Sequence, residues 1–192
     1  MPIRIISGQQ EARYSAFGVL SSINDAEGMV ADLGGGSLEL AHIAGGRVHE
    51  TMTLPLGTLR LQDHRRRLPQ WIESQIATVS DHRFTDMPLY AVGGIGRAIA
   101  TLDNQMKNKK RKYKNYCMNM SDLLTLRKII HKVRPEKLVR EFDIDVIRAQ
   151  ALPDACLLFV HIMKKLRSSE LIITSRGLSD GYLFCLIKGY KV

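Results

Sequence analysis

The chain has 192 residues, enough for one well-buried domain, and its 45% hydrophobic and 24% charged content is that of a globular protein, not of a disordered or fibrous one. With 28 Lys and Arg against 19 Asp and Glu, the formal net charge is +9, which favours polyanionic partners such as polyphosphate, nucleic acid or acidic lipid. Cys117, Cys156 and Cys185 lack CxxC spacing, Met1-Pro2-Ile3-Arg4 is no signal peptide, and apolar runs such as Ala155 to Met163 fall short of a membrane span. A disulfide framework, a zinc ribbon and a membrane anchor are therefore not expected, and a cytoplasmic location with reduced thiols is.

In chain order, Ile3 to Ile6 reads as a short strand. Ser7 followed by Gln10 fits a capping box, which predicts a helix over Gln9 to Ser22 with Glu11 in its first turn. The apolar run Gly28 to Leu33 then delivers Asp32 onto Gly34-Gly35-Gly36-Ser37. Lacking Cβ atoms, these glycines can turn through positive φ and bring successive N–H groups against an anion, while a strand-end Asp can hold a divalent cation beside it. Leu38 to Ile43 and Arg47 to Leu54 alternate in polarity around Gly45-Gly46, a hairpin signal of the primed-turn type. A helix is predicted over Pro69 to Ser80, and a strand over Leu89 to Val92 that ends on Gly93-Gly94 and feeds a helix toward Asn104. The stretch from Gln105 to Tyr116 reads as a basic loop, with six cations between Lys107 and Lys114. Ser121 can cap a helix presenting Leu123, Leu126, Ile130 and Val133, which Arg134-Pro135 breaks. Pro153 can start a buried helix over Ala155 to Leu166. Leu171 to Thr174 is the last strand, and a helix follows near Asp180 to Ile187.

Three blocks, Ile5-Ile6-Ser7-Gly8-Gln9-Gln10-Glu11-Ala12-Arg13, Asp32-Leu33-Gly34-Gly35-Gly36-Ser37-Leu38-Glu39 and Leu54-Pro55-Leu56-Gly57-Thr58-Leu59-Arg60-Leu61, occur in order. Together they resemble the Ppx/GppA phosphatase family of exopolyphosphatases and guanosine pentaphosphate phosphohydrolases, whose pattern is ISGxEEAR, DxGGGSTEL and LPLGxxRL. Weaker echoes fall at Val92 to Ala98 and at Arg176 to Gly181. The resemblance implies an α/β, RNase H-like lobe of the kind found in actin, sugar kinases and heat-shock chaperones, a mixed sheet with flanking helices. The organisation of the chain suggests a core over residues 1–104, a basic loop or linker over 105–120 and the helical remainder of the same lobe over 121–192. The family also has an earlier lobe with a DxGSNS loop, and no DxGSNS occurs in this sequence. The expectation is thus a second lobe alone, incomplete or weak in isolation: a fragment, a split gene product whose first lobe is a separate chain, a lobe completed by a second copy, or a lobe that has lost its partner and its activity.

What the resemblance implies for the site is Glu11 as the base that activates water and Glu39 as a second carboxylate near the metal or water. Asp32 would carry Mg²⁺. Gly34, Gly35, Gly36 and Ser37, with Gly93 and Gly94 from the second turn, would bind phosphate. The basic run Lys109, Lys110, Arg111 and Lys112 would suit polyphosphate. Leu38 and Ile95 stand where the family usually has Thr, which removes two hydroxyls. The expected activity is release of orthophosphate from polyphosphate or pppGpp; the alternative is a non-catalytic polyanion-binding or interaction protein. A nucleic-acid-binding role is set aside because no aromatic-interleaved recognition motif accompanies the charge. Gly177-Leu178-Ser179-Asp180-Gly181 matches GxSxG, but no His follows Ser179, as a nucleophile elbow would require. The six histidines show no HExxH spacing and read as surface or packed residues.

Overall fold

A computed structural model describes residues 3, 5–79, 85–107 and 114–190. Lys109, Lys110, Arg111 and Lys112 lie outside the described residues, as does Ser80. Helix α1 (Gly8–Leu20) opens on the expected capping box: Gln10 N donates to Ser7 Oγ at 3.2 Å and Ser7 N to Gln10 Oε1 at 3.1 Å. Strands β1 (Gly28–Leu33), β2 (Leu38–Ala44) and β3 (Arg47–Leu54) form an antiparallel meander. Gly45 and Gly46 turn its second corner at φ of 55° and 70°, the primed geometry that only residues tolerant of positive φ adopt readily.

Next come α2 (Thr58–Asp63), a 3₁₀ turn over Arg65–Arg67, α3 (Leu68–Ile76), β4 (Leu89–Val92) and α4 (Gly93–Met106). They are followed by β5 (Asn115–Asn119), α5 (Met120–Ile130), α6 (Pro135–Phe142), α7 (Val146–Lys165), β6 (Glu170–Thr174) and α8 (Leu178–Lys188). The six strands lie in the order β3-β2-β1-β4-β6-β5, with β1, β4 and β6 mutually parallel. This is the mixed sheet of an RNase H-like lobe, with β5 added antiparallel at one edge.

Each sheet face has its own apolar layer. Met29, Ala31, Leu38, Leu40, Leu89 and Ala91 pack under the helices on one side, chiefly α7, whose Phe159 is fully buried. Val30, Ala41, Ile43, Tyr90 and Val92 pack on the other side against Ala12, Ala16 and Val19 of α1. Helix α8 lies on α1 so closely that a Cβ at Gly18 would overlap the Gly177 carbonyl and one at Gly181 the Tyr14 carbonyl.

The structure differs locally from the sequence expectation: Ile3, Ile5 and Ile6 form no strand, and Pro135 starts a further helix, α6, that was not anticipated. Helix α7 starts at Val146, capped by Asp145, whose Oδ1 accepts from Ile147 N and Arg148 N, and it contains Pro153 in its interior. Packing on the sheet keeps it helical, and side chains occupy carbonyls around the proline: Arg65 Nη2 donates to Gln150 O at 2.9 Å and Arg127 Nε to Pro153 O at 3.2 Å. Its 20 residues are long and apolar enough for a membrane span, yet most of them are buried inside the lobe. Helix α5 is capped by Asn119, in a reciprocal pair with Asp122, not by Ser121. Of the loop or linker expected over 105–120, residues 105 and 106 end α4, Asn115–Asn119 form β5 and Met120 starts α5; the strand forms because Tyr116 and Met118 point into the core in the period of a strand. Helix α2 and the 3₁₀ turn were not anticipated.

Candidate functional site

The three glycines after β1 form a short loop closed by Gly34 N donating to Ser37 O at 3.0 Å. Their carbonyls are all held from behind. The first N–H groups of α2, which have no partner inside their own helix, take two of them: Thr58 N donates to Gly34 O at 2.9 Å and Leu59 N to Gly35 O at 3.0 Å. Arg60 Nε takes the third, Gly36 O, at 2.9 Å. Every peptide here is trans, so each carbonyl is antiparallel to the N–H of the next residue. With the carbonyls of 34, 35 and 36 turned onto α2, the N–H groups of Gly35, Gly36 and Ser37 point the opposite way, a fan of three donors suited to an anion.

Positive φ is not the reason for glycine in this loop, contrary to the sequence expectation: none of Gly34, Gly35 or Gly36 has it. Nor is internal crowding. A Cβ at Gly36 would meet nothing within 4 Å, one at Gly35 only Leu59 Cδ1 at 3.9 Å, and one at Gly34 only Ser37 O at 3.5 Å. Gly57 differs, since a Cβ there would overlap the backbone of Gly35, Gly36 and Ser37. Gly93 differs too: its φ is 84°, and a Cβ would lie 2.8 Å from Asp32 Oδ1. Gly93 starts α4, whose N-terminal amides and dipole converge on the same end of the sheet.

Asp32 and Glu39 are direct partners across β1 and β2, and both lie on the face that carries α1. Glu11 sits in the first turn of α1, and Ser15, one turn on, donates its Oγ to Asp32 Oδ2 at 2.5 Å. Burial raises the pKa of all three carboxyls, and charge adds to it at two of them: Asp32 acts on Glu11, and Glu11 and Asp32 both act on Glu39, which reaches about 7. The Ser37 hydroxyl draws Glu39 partly back, and Ser15 and Arg97 do the same for Asp32. Glu39 is 2% exposed and its Oε1 has no hydrogen-bond partner.

An unpartnered buried carboxylate oxygen beside two other crowded carboxylates suits a divalent cation. Among the described residues no three such groups converge closely enough to hold an ion alone. The donor set therefore fits a hard ion that keeps water and takes further oxygens from a phosphate, as Mg²⁺ does.

The structure thus brings Glu11, Asp32, Glu39, Gly34, Gly35, Gly36, Ser37 and Gly93 to one end of the sheet. Gly94 lies at the same end, under the Arg148 guanidinium, and with Gly34, Gly35, Thr58 and Ile95 it lines a cavity of about 440 Å³ beside the loop. The carboxylates do not line that cavity. Ile95 is in it, so the hydroxyl absent there is absent from the site. Leu38 instead packs into the core with Leu40, so its missing hydroxyl is not. Ser179 opens α8, where Asp180 caps Gly177 N at 3.1 Å and pairs with Arg176 at 2.5 Å, a helix start and no nucleophile elbow.

Sequence reasoning missed Ser15, Arg97 and Arg148. Ser15 was within reach, being four residues from Glu11 on one helix face; Arg148 is brought in by tertiary packing alone.

A model of the Ppx/GppA phosphatase family matches residues 1–189. Among solved structures, an exopolyphosphatase from Cytophaga hutchinsonii superposes with a TM-score of 0.88 at 19% identity, covering 100% of this chain and 67% of that one. The Ppx/GppA family member of Aquifex aeolicus gives 0.83 at 20% identity, with 100% and 66% covered. The chain spans about two thirds of the length of these proteins, and at such identities the likeness speaks for the fold.

Proposed function

The chain belongs to the Ppx/GppA phosphatase family, and from that premise we propose that it is a cytoplasmic phosphohydrolase lobe acting on terminal phosphoanhydrides of polyphosphate or guanosine pentaphosphate. One observation carries this: α2 and Arg60 hold three successive carbonyls, so three successive amides face away from them, in a loop whose glycines nothing inside the protein requires. Space left open by missing Cβ atoms is space for the phosphate to approach the backbone.

In this proposal the amides of Gly35, Gly36 and Ser37, with the start of α4 at Gly93 and Gly94, bind the oxygens of the terminal phosphoryl group. Their alignment is set before substrate arrives, so charge developing in the transition state meets fixed dipoles. Glu11, at the edge of the site, accepts a proton from the attacking water as the new P–O bond forms and the anhydride P–O bond breaks. Asp32 and Glu39 would hold Mg²⁺, which when bound offsets the negative charge of the phosphoryl oxygens. Ser15 fixes the Asp32 rotamer through its 2.5 Å hydrogen bond.

The test is phosphate-induced chemical-shift change at the amides of Gly34 to Ser37 in the presence of Mg²⁺, with Gly35→Val as comparison and circular dichroism as folding control. Wild type should shift at these amides, and Gly35→Val should fold and not shift. Absence of any perturbation in wild type at millimolar phosphate would sink the phosphate assignment. The alternative, a non-catalytic polyanion-binding protein, is favoured by Ile95, which lines the site without the family's hydroxyl. It predicts phosphate shifts without turnover even when the other part of the family's architecture is supplied as a separate chain.

A further inference from the structure

Helix α8 is an outer helix with the composition of an inner one. Its charged residues are Asp180 in the first turn and Lys188 in the last, and the rest is apolar around most of its circumference. A helix of that kind belongs in a core. Yet among the described residues α8 packs almost wholly against α1, and within it only Gly181 and Cys185 are buried. What it leaves open is a stripe of Tyr182, Leu183, Leu186, Ile187 and, just past the Gly189 cap, Tyr190, between 48% and 74% exposed. The first four follow the i, i+1, i+4, i+5 spacing of one helix face. The rings of Tyr182 and Tyr190 rest on Tyr14 and Phe17, with centroids 5.3 and 5.4 Å apart. Both are therefore fixed before a partner arrives, as interface anchors are.

Three properties of the stripe favour a second copy of this chain as its cover. Two molecules of formal net charge +9 repel unless they meet where the surface is uncharged, and the stripe is such a place. Five large side chains at that exposure, with the stem of Lys188 beside them, offer on the order of the 800 Å² per partner that a standard interface buries. The charges at its two ends are self-complementary. In an antiparallel pair of α8 helices, Lys188 at the end of one faces the partner's Asp180 at the start of the other, and the helix dipoles run opposite. A lipid surface would instead favour cations along the stripe, and α8 offers Lys188 alone.

We propose that the outer face of α8 is a homodimer interface, in which two copies pair their α8 helices antiparallel about a two-fold axis. A Cβ at Gly177, where α8 is capped, would lie 3.8 Å from Gly93 N, so the interface begins beside the second glycine turn. Pairing then places the two copies' turns at opposite ends of the joined helices. The interface uses no residue of the phosphate site, so it stands or falls apart from the phosphohydrolase reading.

The experiment is sedimentation equilibrium of the full chain from micromolar to millimolar concentration, with circular dichroism as folding control. Wild type should reach twice the mass of one chain. Leu183→Lys/Ile187→Lys, at exposed positions, should weaken self-association at least about a hundredfold, because like charges would meet across the two-fold axis. Lys188→Glu keeps the apolar face and sets two acids together, so it should weaken pairing about tenfold, more at low salt. It also keeps the test open if the double Lys variant misfolds. Ile129→Lys, an exposed apolar position on α5, should change self-association by less than about twofold. A wild-type monomer at every concentration, or a dimer that survives both α8 variants, would overturn the proposal. So would a monomer that uses Leu183 and Ile187 to bind phosphatidylserine vesicles in co-sedimentation, or a separately supplied first lobe. A dimer lost in the double Lys variant but untouched by Lys188→Glu would overturn the antiparallel arrangement.

Discussion

The two glycine turns at the working end of the sheet look alike in sequence and differ in physics. At Val92-Gly93 the protein itself demands glycine: the backbone is at φ 84°, and Asp32 Oδ1 occupies the place a Cβ would take. At Gly35-Gly36 the backbone is ordinary and the Cβ direction is open. The first glycine is explained from within the fold, and the second is explained only by something that comes from outside it. A glycine that the fold does not need is thus the better pointer to a ligand.

Three substitutions test that contrast, in order of expected effect on stability. Gly93→Ala should cost about 2–3 kcal/mol, from positive φ plus a contact with Asp32 that must be relieved, and lower the melting temperature by roughly 4–12 °C. Glu39→Gln probes what the open turn faces. The Glu39 pKa is about 7 in the fold against an ordinary 4.5, so the folded state binds the extra proton. Stability without a divalent ion should fall as pH rises from 4.5 to about 7, a loss on the order of 2 kcal/mol. The Gln variant should lose that part of the slope and be the more stable protein above the window, as read by denaturant midpoints in chelator across the pH range. Gly36→Ala should change stability by less than about 0.5 kcal/mol while reducing the phosphate response at Ser37. If thermal melts show that it costs as much as Gly93→Ala, the open turn has a structural reason of its own and the contrast fails.

Much of this was legible in the chain. Ser7 and Gln10 announce the start of α1, Gly45-Gly46 the hairpin, and Asp32 to Ser37 the loop, because each signal is local and stereochemical. Helix α2 was not legible, since six residues carry too little periodicity to separate a helix from a loop, and its job is to hold carbonyls and to cover the core. Pro153 was misleading because a proline is a start signal by local rules, and only the packing of α7 on the sheet shows that the helix runs through it. The charge of the site was the least legible part. The pKa of about 7 at Glu39 arises first from its burial and then from the charges of Glu11 on the helix above and Asp32 across two strands, an environment that exists only after folding.

The sheet changes character at β1, which pairs antiparallel with β2 on one side and parallel with β4 on the other. Asp32 opposite Glu39 therefore marks one edge, and Gly28 opposite Ile43 the other, where the Gly45-Gly46 corner lies. The lobe has a working rim and a silent rim separated by the length of a strand. For a protein engineer that corner, with nothing within 4 Å of either missing Cβ, is a handle: a reporter peptide or new chain ends placed there would face away from the chemistry.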